Sequence, residues 1–176
     1  LNSYSLNKKT VEDLNLFVGY FVKKSYRRDV ELYNNQPFIV IFDTAKIQAV
    51  DVPISLVLEK DKILISYEVK PDVHFFDFKN WRNVLKNNIS KKKVEKYISF
   101  FETYSDEFFT FKIIPNQVEE DEDYSEFEFV LNYPDKLIQT YRKRLSIEQI
   151  NKDATIVQIA ITDILPLRAK DYLNML

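Results

Sequence analysis

The spacing of hydrophobic side chains along the chain predicts a series of short strands. Residues 16–22 form a dense apolar run that favours a strand, and residues 37–42 are almost wholly apolar, as in a strand buried on both faces. Residues 60–61 fit a two-residue turn between two strands, although the glycine usual in such turns is missing. Five further segments carry an apolar side chain at every second position: residues 54–58, 62–69, 109–113, 127–131 and 155–161.

Helical spacing interrupts these strands. Residues 79–102 repeat the i, i+3, i+4, i+7 pattern twice, around Trp81 and around Val94, and predict a pair of helices divided near Asn88. Three other segments predict single helices: residues 5–15, residues 135–145, and a C-terminal helix that starts at Pro166, since proline suits a first helical turn.

The order of these elements predicts an α+β fold. We expect a two-layer α/β arrangement in which a mixed, largely antiparallel sheet packs with helices, because several neighbouring strands are joined by short links. The length of 176 residues suits one ordinary domain. We therefore expect residues 1–176 to form a single domain.

The scarce residues exclude most catalytic templates. The chain has no cysteine, which excludes thiol nucleophiles, cysteine-ligated metals and disulfides. Its one histidine, His74, and its one glycine, Gly19, exclude two-histidine zinc motifs and glycine-rich phosphate loops. A net charge of −2, from 25 basic and 27 acidic residues, argues against a nucleic-acid partner. We therefore expect no catalytic residues, no metal and no cofactor.

Several surface features have an ordinary structural interpretation beside a functional one. The acidic run at residues 119–123 lacks the glycine of a calcium loop and is expected to be solvated. Glu126 and Glu128 share one strand face, as on any wet sheet surface. Aromatic residues at 15% of the chain allow carbohydrate stacking, although core packing is their commoner use; the candidates are Tyr20, Tyr26, Tyr33 and Trp81.

Three segments, in order, resemble the polysaccharide co-polymerases of bacterial capsule and exopolysaccharide export. Residues 2–21 (NSYSLNKKTVEDLNLFVGYF) resemble the stretch after the first membrane helix of that family. Residues 27–43 (RRDVELYNNQPFIVIFD) resemble an ELY-x-x-x-PF-x-V segment of its Bacteroidetes-type tyrosine autokinases. The final residues match the family's Pro-x-x-Ala-x-x-x-x-Asn pattern. The motif residues, which are structural, are Glu31, Leu32, Tyr33, Pro37, Phe38, Pro166, Ala169 and Asn174.

The resemblance implies a Wzz-like periplasmic domain of a bacterial inner-membrane protein, cut from its flanking membrane helices and from any cytoplasmic kinase domain. Such a domain catalyses nothing itself. It acts as a homo-oligomer beside the polysaccharide polymerase and exporter and helps to set polymer length, with polysaccharide itself as a further candidate partner. Residues 75–106 depart from the family and are interpreted as an insertion.

Two alternatives remain open on the sequence. A carbohydrate-binding module would need an exposed aromatic platform beside polar groups. A carboxylate hydrolase would need two acids in one concave pocket, with at least one perturbed pKa.

Overall fold

In the computed structural model, the described residues are 3–23, 29–59, 62–117, 126–149 and 157–176. Their contacts divide the chain into two compact units. Unit 1 comprises Leu1–Phe17 and Asn132–Leu176, and unit 2 comprises Val18–Leu131. Three sequence predictions lie outside the described residues: the turn at residues 60–61, the acidic run at residues 119–123, and the stacking role of Tyr26.

Unit 2 is built from antiparallel strands. They form a six-stranded sheet in the order β2-β1-β12-β5-β6-β9 and two three-stranded sheets, β10-β11-β3 and β4-β7-β8. The strands are β1 (Val18–Val22), β2 (Val30–Leu32), β3 (Phe38–Phe42), β4 (Ile47–Val50), β5 (Pro53–Leu58), β6 (Ile63–Val69), β7 (His74–Asp77), β8 (Arg82–Val84), β9 (Lys92–Ile98), β10 (Thr103–Ser105), β11 (Thr110–Pro115) and β12 (Glu126–Leu131).

Aromatic rings join the sheets of unit 2. The ring centroids of Phe111 and Phe129 lie 5.2 Å apart, and those of Phe38 and Phe127 lie 5.6 Å apart, so strands β11 and β3 face strand β12 of the large sheet. Edge-to-face contacts of this kind add to the free energy gained by burying the rings. The core of unit 2 is therefore an aromatic-rich layer between sheets.

Unit 1 gathers the helices around a small sheet. Its elements are α1 (Tyr4–Asp13), α2 (Pro134–Arg144), β13 (Leu145–Gln149), β14 (Val157–Ile161) and α3 (Pro166–Met175). Ser3 caps α1, since its Oγ accepts a hydrogen bond from the Leu6 N–H at 3.2 Å. Helix α3 packs on both other helices: the Tyr172 ring stacks on Tyr141 at 4.5 Å, and its hydroxyl donates to Asn7 Oδ1 at 2.6 Å.

The predicted α+β fold is wrong. Strands account for 45% of the structure and helices for 20%, so the fold is a β-rich set of antiparallel sheets and not a sheet packed with helices. The main error is at residues 79–102, where the predicted helix pair is replaced by β8 and β9. Strand β9 gains seven residue pairs with β6, and this tertiary pairing outweighs a local helical spacing.

The other helices and most strands agree with the sequence. Helices α1, α2 and α3 occur where the spacing predicts them, and α3 begins at Pro166. Within residues 37–42, Phe38–Phe42 form strand β3, but the prediction that both its faces are buried is wrong. Phe38 and Val40 are buried, whereas Ile41 between them is 52% exposed. Strand β3 therefore has one buried face and one more exposed face.

Candidate functional site

Strand β9 lies at one edge of the six-stranded sheet, and it belongs to a lysine-rich stretch of the chain. Residues 86–96 contain five lysines and one glutamate, although the whole chain has a net charge of −2. Among the described strands, β9 pairs only with β6. Its other edge therefore presents backbone N–H and C=O groups without a neighbouring strand.

Two of these lysines occupy positions that the sheet normally fills with hydrophobic residues. In the antiparallel register, Lys92 lies opposite Val69 and Lys96 lies opposite Ile65. Val69 and Ile65 are both fully buried. The Lys96 ammonium lies 5.4 Å from the centre of the Tyr104 ring. These lysines therefore extend from the core-facing side of an edge strand, over aromatic rings that attract a cation.

Lys92 in β9 and Lys86, which lies between β8 and β9, also lie over aromatic rings. The Lys92 Nζ lies 5.5 Å from the centre of Phe108, and the Lys86 Nζ lies 4.0 Å from the centre of Phe75. Burial lowers the pKa of Lys86, and the nearby Glu107 offsets this only in part. A hydrogen bond to the Glu107 carboxylate raises the pKa of Lys92.

The opposite face of β9 is open and mixed in charge. Lys93 lies opposite Glu68, whose carboxylate receives an ion pair from Lys91 at 3.3 Å. Tyr97 on this face is 51% exposed, with Lys62 Nζ 6.0 Å from its ring centre. Within the part of the chain that the structure describes, neither Lys93 nor Lys96 has a carboxylate at ion-pair distance.

Two tyrosine hydroxyls and one carboxylate form a hydrogen-bonded cluster that holds the Tyr104 ring next to Lys96. The Tyr104 hydroxyl donates to Asp106 Oδ2 at 2.9 Å and lies 2.9 Å from the hydroxyl of Tyr67, which also donates to Asp106. Asp106 Oδ1 accepts the N–H groups of Phe108 and Phe109 at 2.8 Å each. Burial raises the pKa of Tyr104 to about 12 and that of Tyr67 further still. Both hydroxyls therefore remain protonated donors at neutral pH.

A cleft of about 390 Å³ lies at the Val69 end of β6, next to the end of β9 that carries Lys92 and Lys93. Five polar residues contribute to its wall, and these include the only histidine. Across the described ranges, no group of three or more acidic or histidine side chains could hold a metal ion. The polar wall residues are Asp51, Glu68, Lys70, Asp72 and His74.

The motif residues fall into two groups that lie in different units. In unit 2, Glu31 and Leu32 lie in β2, Tyr33 and Pro37 follow it, and Phe38 begins β3 with a fully buried ring. In unit 1, the three C-terminal motif residues all lie in α3, with Pro166 in its first turn. Among these residues Phe38 is fully buried, whereas Pro166 and Asn174 are exposed.

Two of the aromatic residues proposed for carbohydrate stacking, Tyr20 and Trp81, pack against other parts of the protein. Tyr20 is buried, so its pKa is raised to about 12, and its hydroxyl accepts the Val40 N–H at 3.0 Å. The Trp81 ring contacts Phe76 at a centroid distance of 5.3 Å. Tyr20 therefore cannot stack on a sugar, and the sequence analysis missed Tyr97, which is more exposed.

The sequence pattern also did not predict the lysine-lined strand β9, although it contains a signal for a strand there. Val94 and Ile98 are four residues apart, which fits a helix turn and equally fits one face of a strand. The lysines at positions 92 and 96 share that strand face and hid its alternation.

Comparisons with known proteins give no family for this chain. No protein-family model matches its sequence, and no curated protein matches it significantly. Among the described residues, the helices are too short or too polar for any of them to cross a membrane.

Proposed function

We propose that this chain is a non-catalytic periplasmic domain of an inner-membrane polysaccharide co-polymerase, and that it contributes to chain-length control and export by assembling into an oligomer. Its partners in this role are further copies of itself and the polysaccharide polymerase and exporter. The flanking membrane helices of the parent protein anchor it. A kinase activity, where the parent has one, belongs to another domain.

The observation that carries the proposal is the two-stranded sheet β13–β14 of unit 1. Three residue pairs line one of its faces: Leu145 with Ile161, Ile147 with Ile159, and Gln149 with Val157. Five of these six side chains are apolar, yet Ile147 is 38% exposed and Val157 is 48% exposed. An apolar face of this kind is typical of a surface that another molecule covers.

The edges of this small sheet are also unprotected. Strand β14 contains no charged residue, and β13 contains only Glu148, on the opposite face. Among the described strands, the two pair only with each other. A two-stranded sheet is marginally stable by itself in water. A second copy that covers the same face would stabilise both, as in a self-complementary interface.

The first and last helices lie in the same unit as this sheet. The hydrogen bond from Tyr172 in α3 to Asn7 in α1 is buried. A domain held between two membrane helices must receive and return its chain on one side, and a contact between the first and last elements meets that requirement. The ordered resemblance of three segments supports the same role.

Self-association should depend on local concentration, because an anchored protein gains affinity from its neighbours. We would attach the chain by a C-terminal histidine tag to vesicles containing nickel-chelating lipid and measure energy transfer between labelled copies. We expect a monomer in solution and transfer above the random level on vesicles. Ile147→Asp should abolish the excess, whereas Ile41→Asp, at an exposed position in unit 2, should not. Random-level transfer for the unaltered chain would contradict the proposal.

A further inference from the structure

We infer that the outer face of the sheet β10-β11-β3 docks an amphipathic α-helix of a partner protein, one whose apolar side carries a carboxylate. This surface, the isoleucine face, consists of Ile39, Ile41, Lys112 and Ile114. The inference goes beyond assembly and does not rest on it, because the face belongs to unit 2 and needs no second copy of the chain.

The isoleucine face is apolar where an antiparallel sheet that meets water is ordinarily polar. Phe38 and Val40 are buried, so the alternate side chains of β3 lie on the outer face. Of these, Ile39 lies opposite Ile114, and both are only half-buried. Ile41 is exposed. Apolar side chains that share one accessible face are typical of an interaction site.

Lys112 determines the charge that the partner must supply. It is half-buried and lies directly opposite Ile41 in the register. Across the described ranges, no carboxylate lies at ion-pair distance from its ammonium group. The Asp43 carboxylate, directly after β3, accepts the Ala45 N–H at 2.9 Å instead. An apolar partner that covered Lys112 would bury an unpaired charge unless it brought a carboxylate of its own.

The size of the face matches one α-helix. Two strand spacings separate β10 from β3, and this distance of roughly 10 Å is about the diameter of a helix with its side chains. The five residues of β3 span about 17 Å, which is the length of about 11 helical residues. A helix of about three turns therefore covers the face from end to end.

Two other protein occupants suit this surface less well. In a self-complementary dimer, the isoleucine faces of two copies would bring two Lys112 ammonium groups together in apolar surroundings, and like charges repel. A strand added to the edge of β3 would compete with the Tyr20 hydroxyl, which already accepts the Val40 N–H at 3.0 Å. A helix that carries a carboxylate meets neither obstacle.

The test measures binding of a fluorescent, hydrocarbon-stapled helical peptide to the full chain by anisotropy. The peptide has about 12 residues, or roughly 18 Å of helix, and its apolar side consists of leucines around one glutamate. Two further peptides carry glutamine or lysine in place of that glutamate. Lys112→Glu reverses the charge of the face, and Ile41→Asp places a charge in its apolar part. The matched control is Lys93→Glu, at an exposed lysine of β9 that has no carboxylate at ion-pair distance in the described ranges.

We expect the glutamate peptide to bind more tightly than the glutamine peptide, and the lysine peptide to bind most weakly. Lys112→Glu should weaken binding of the glutamate peptide roughly tenfold and should make the lysine peptide the preferred one, because the pair of charges is exchanged. Ile41→Asp should abolish binding, and Lys93→Glu should leave it unchanged. Ile147→Asp, which alters the proposed assembly surface, should also leave it unchanged, so that the failure of either proposal is recognised by itself.

Three results would overturn the inference: no binding of the glutamate peptide, equal affinity for the three peptides, or an equal loss in Lys93→Glu. Analytical ultracentrifugation of the chain without peptide covers the remaining occupant. Self-association in solution that Ile41→Asp abolishes would replace the helix with a second copy of the chain.

Discussion

The edge strands of two sheets in this molecule differ in charge and in polarity. Strand β9 of unit 2 is long and lined with lysines, two of which project over the aromatic core. The sheet β13–β14 of unit 1 has two short edges, an apolar face and no lysine. An edge that carries inward lysines resists pairing with another strand, whereas an uncharged edge with an apolar face invites it.

The difference gives the two regions different surfaces. The inward lysines of β9 oppose the addition of a further strand at its edge. The sheet β13–β14 is suited to a protein surface, and a second copy would supply matching apolar residues. The two regions also differ in how they are held: β9 by seven residue pairs with β6, and the small sheet by an ion-pair cluster where it joins α2 and α3.

The largest expected effect comes from breaking that cluster. Asp163 lies between β14 and α3, and its side chain is fully buried. It receives Arg168 Nη2 at 2.7 Å and Arg144 Nη1 at 3.2 Å. Asp163→Asn should lower the free energy of unfolding by about 3–5 kcal/mol, because Arg168 would keep a buried, uncompensated charge. Urea denaturation measures this change. Lys92→Gln, which breaks an exposed ion pair at β9, is the control and should leave the midpoint unchanged.

The next largest effect is expected from shortening a buried isoleucine of the six-stranded sheet, in comparison with an exposed isoleucine of β13. Ile65 in β6 is fully buried, directly beside Lys96, so Ile65→Ala should cost about 2–5 kcal/mol. Ile147→Ala should cost less than about 1 kcal/mol in the monomer, since the side chain is already partly exposed. Calorimetry on both variants would decide. Equal losses would mean that the face of β13–β14 is covered within the monomer.

The ion-pair cluster of Asp163, Arg144 and Arg168 should make the stability of unit 1 depend on pH in the acidic range. Burial alone would raise the pKa of Asp163, but hydrogen bonds from Arg168 and the Leu165 N–H, with the nearby Arg144, lower it overall. A lowered native pKa means that the stabilisation is present above the unfolded pKa of about 3.9 and is lost as the pH falls below it. Unfolding measured from pH 6 to pH 2 should therefore show a steeper loss for the unaltered chain than for Asp163→Asn. Parallel curves would exclude this role for Asp163.

The smallest effect on stability is expected from making β9 apolar. Lys92→Leu with Lys96→Leu removes both inward charges and should scarcely alter the melting temperature. It should, however, induce self-association, because the free edge would lose its protection against strand addition. Analytical ultracentrifugation would detect the change. A variant that stays monomeric would show that these lysines do not protect the edge.

The sequence predicted those parts of the fold where local pattern and tertiary environment agree. Helix α2 has a proline start and an apolar stripe, and strands β6 and β12 alternate clearly, so all three follow from periodicity. Strand β9 failed because its inward positions hold lysines, which hide the alternation that defines a strand. Its structure depends on pairing with β6, and local spacing contains no information about that partner.

The candidate site shows the same limit. The lysine-rich stretch was visible as composition, but its placement on a free edge over Tyr104 and Phe108 arises only from the sheet register. The stacking candidates failed for a related reason: an aromatic side chain such as Tyr20 can belong to a core or to a platform, and the sequence alone does not distinguish the two.

Cross-linking between introduced cysteines tests the central claim most directly, namely that copies meet through β13–β14 and not through β9. The chain has no natural cysteine, so Ile147→Cys and Lys93→Cys each create one specific thiol. Both variants would be anchored at equal density on nickel-chelating vesicles and treated with a short bismaleimide. We predict covalent dimers from Ile147→Cys and none above the soluble background from Lys93→Cys. Equal cross-linking of the two variants, or dimers from Lys93→Cys alone, would contradict the account.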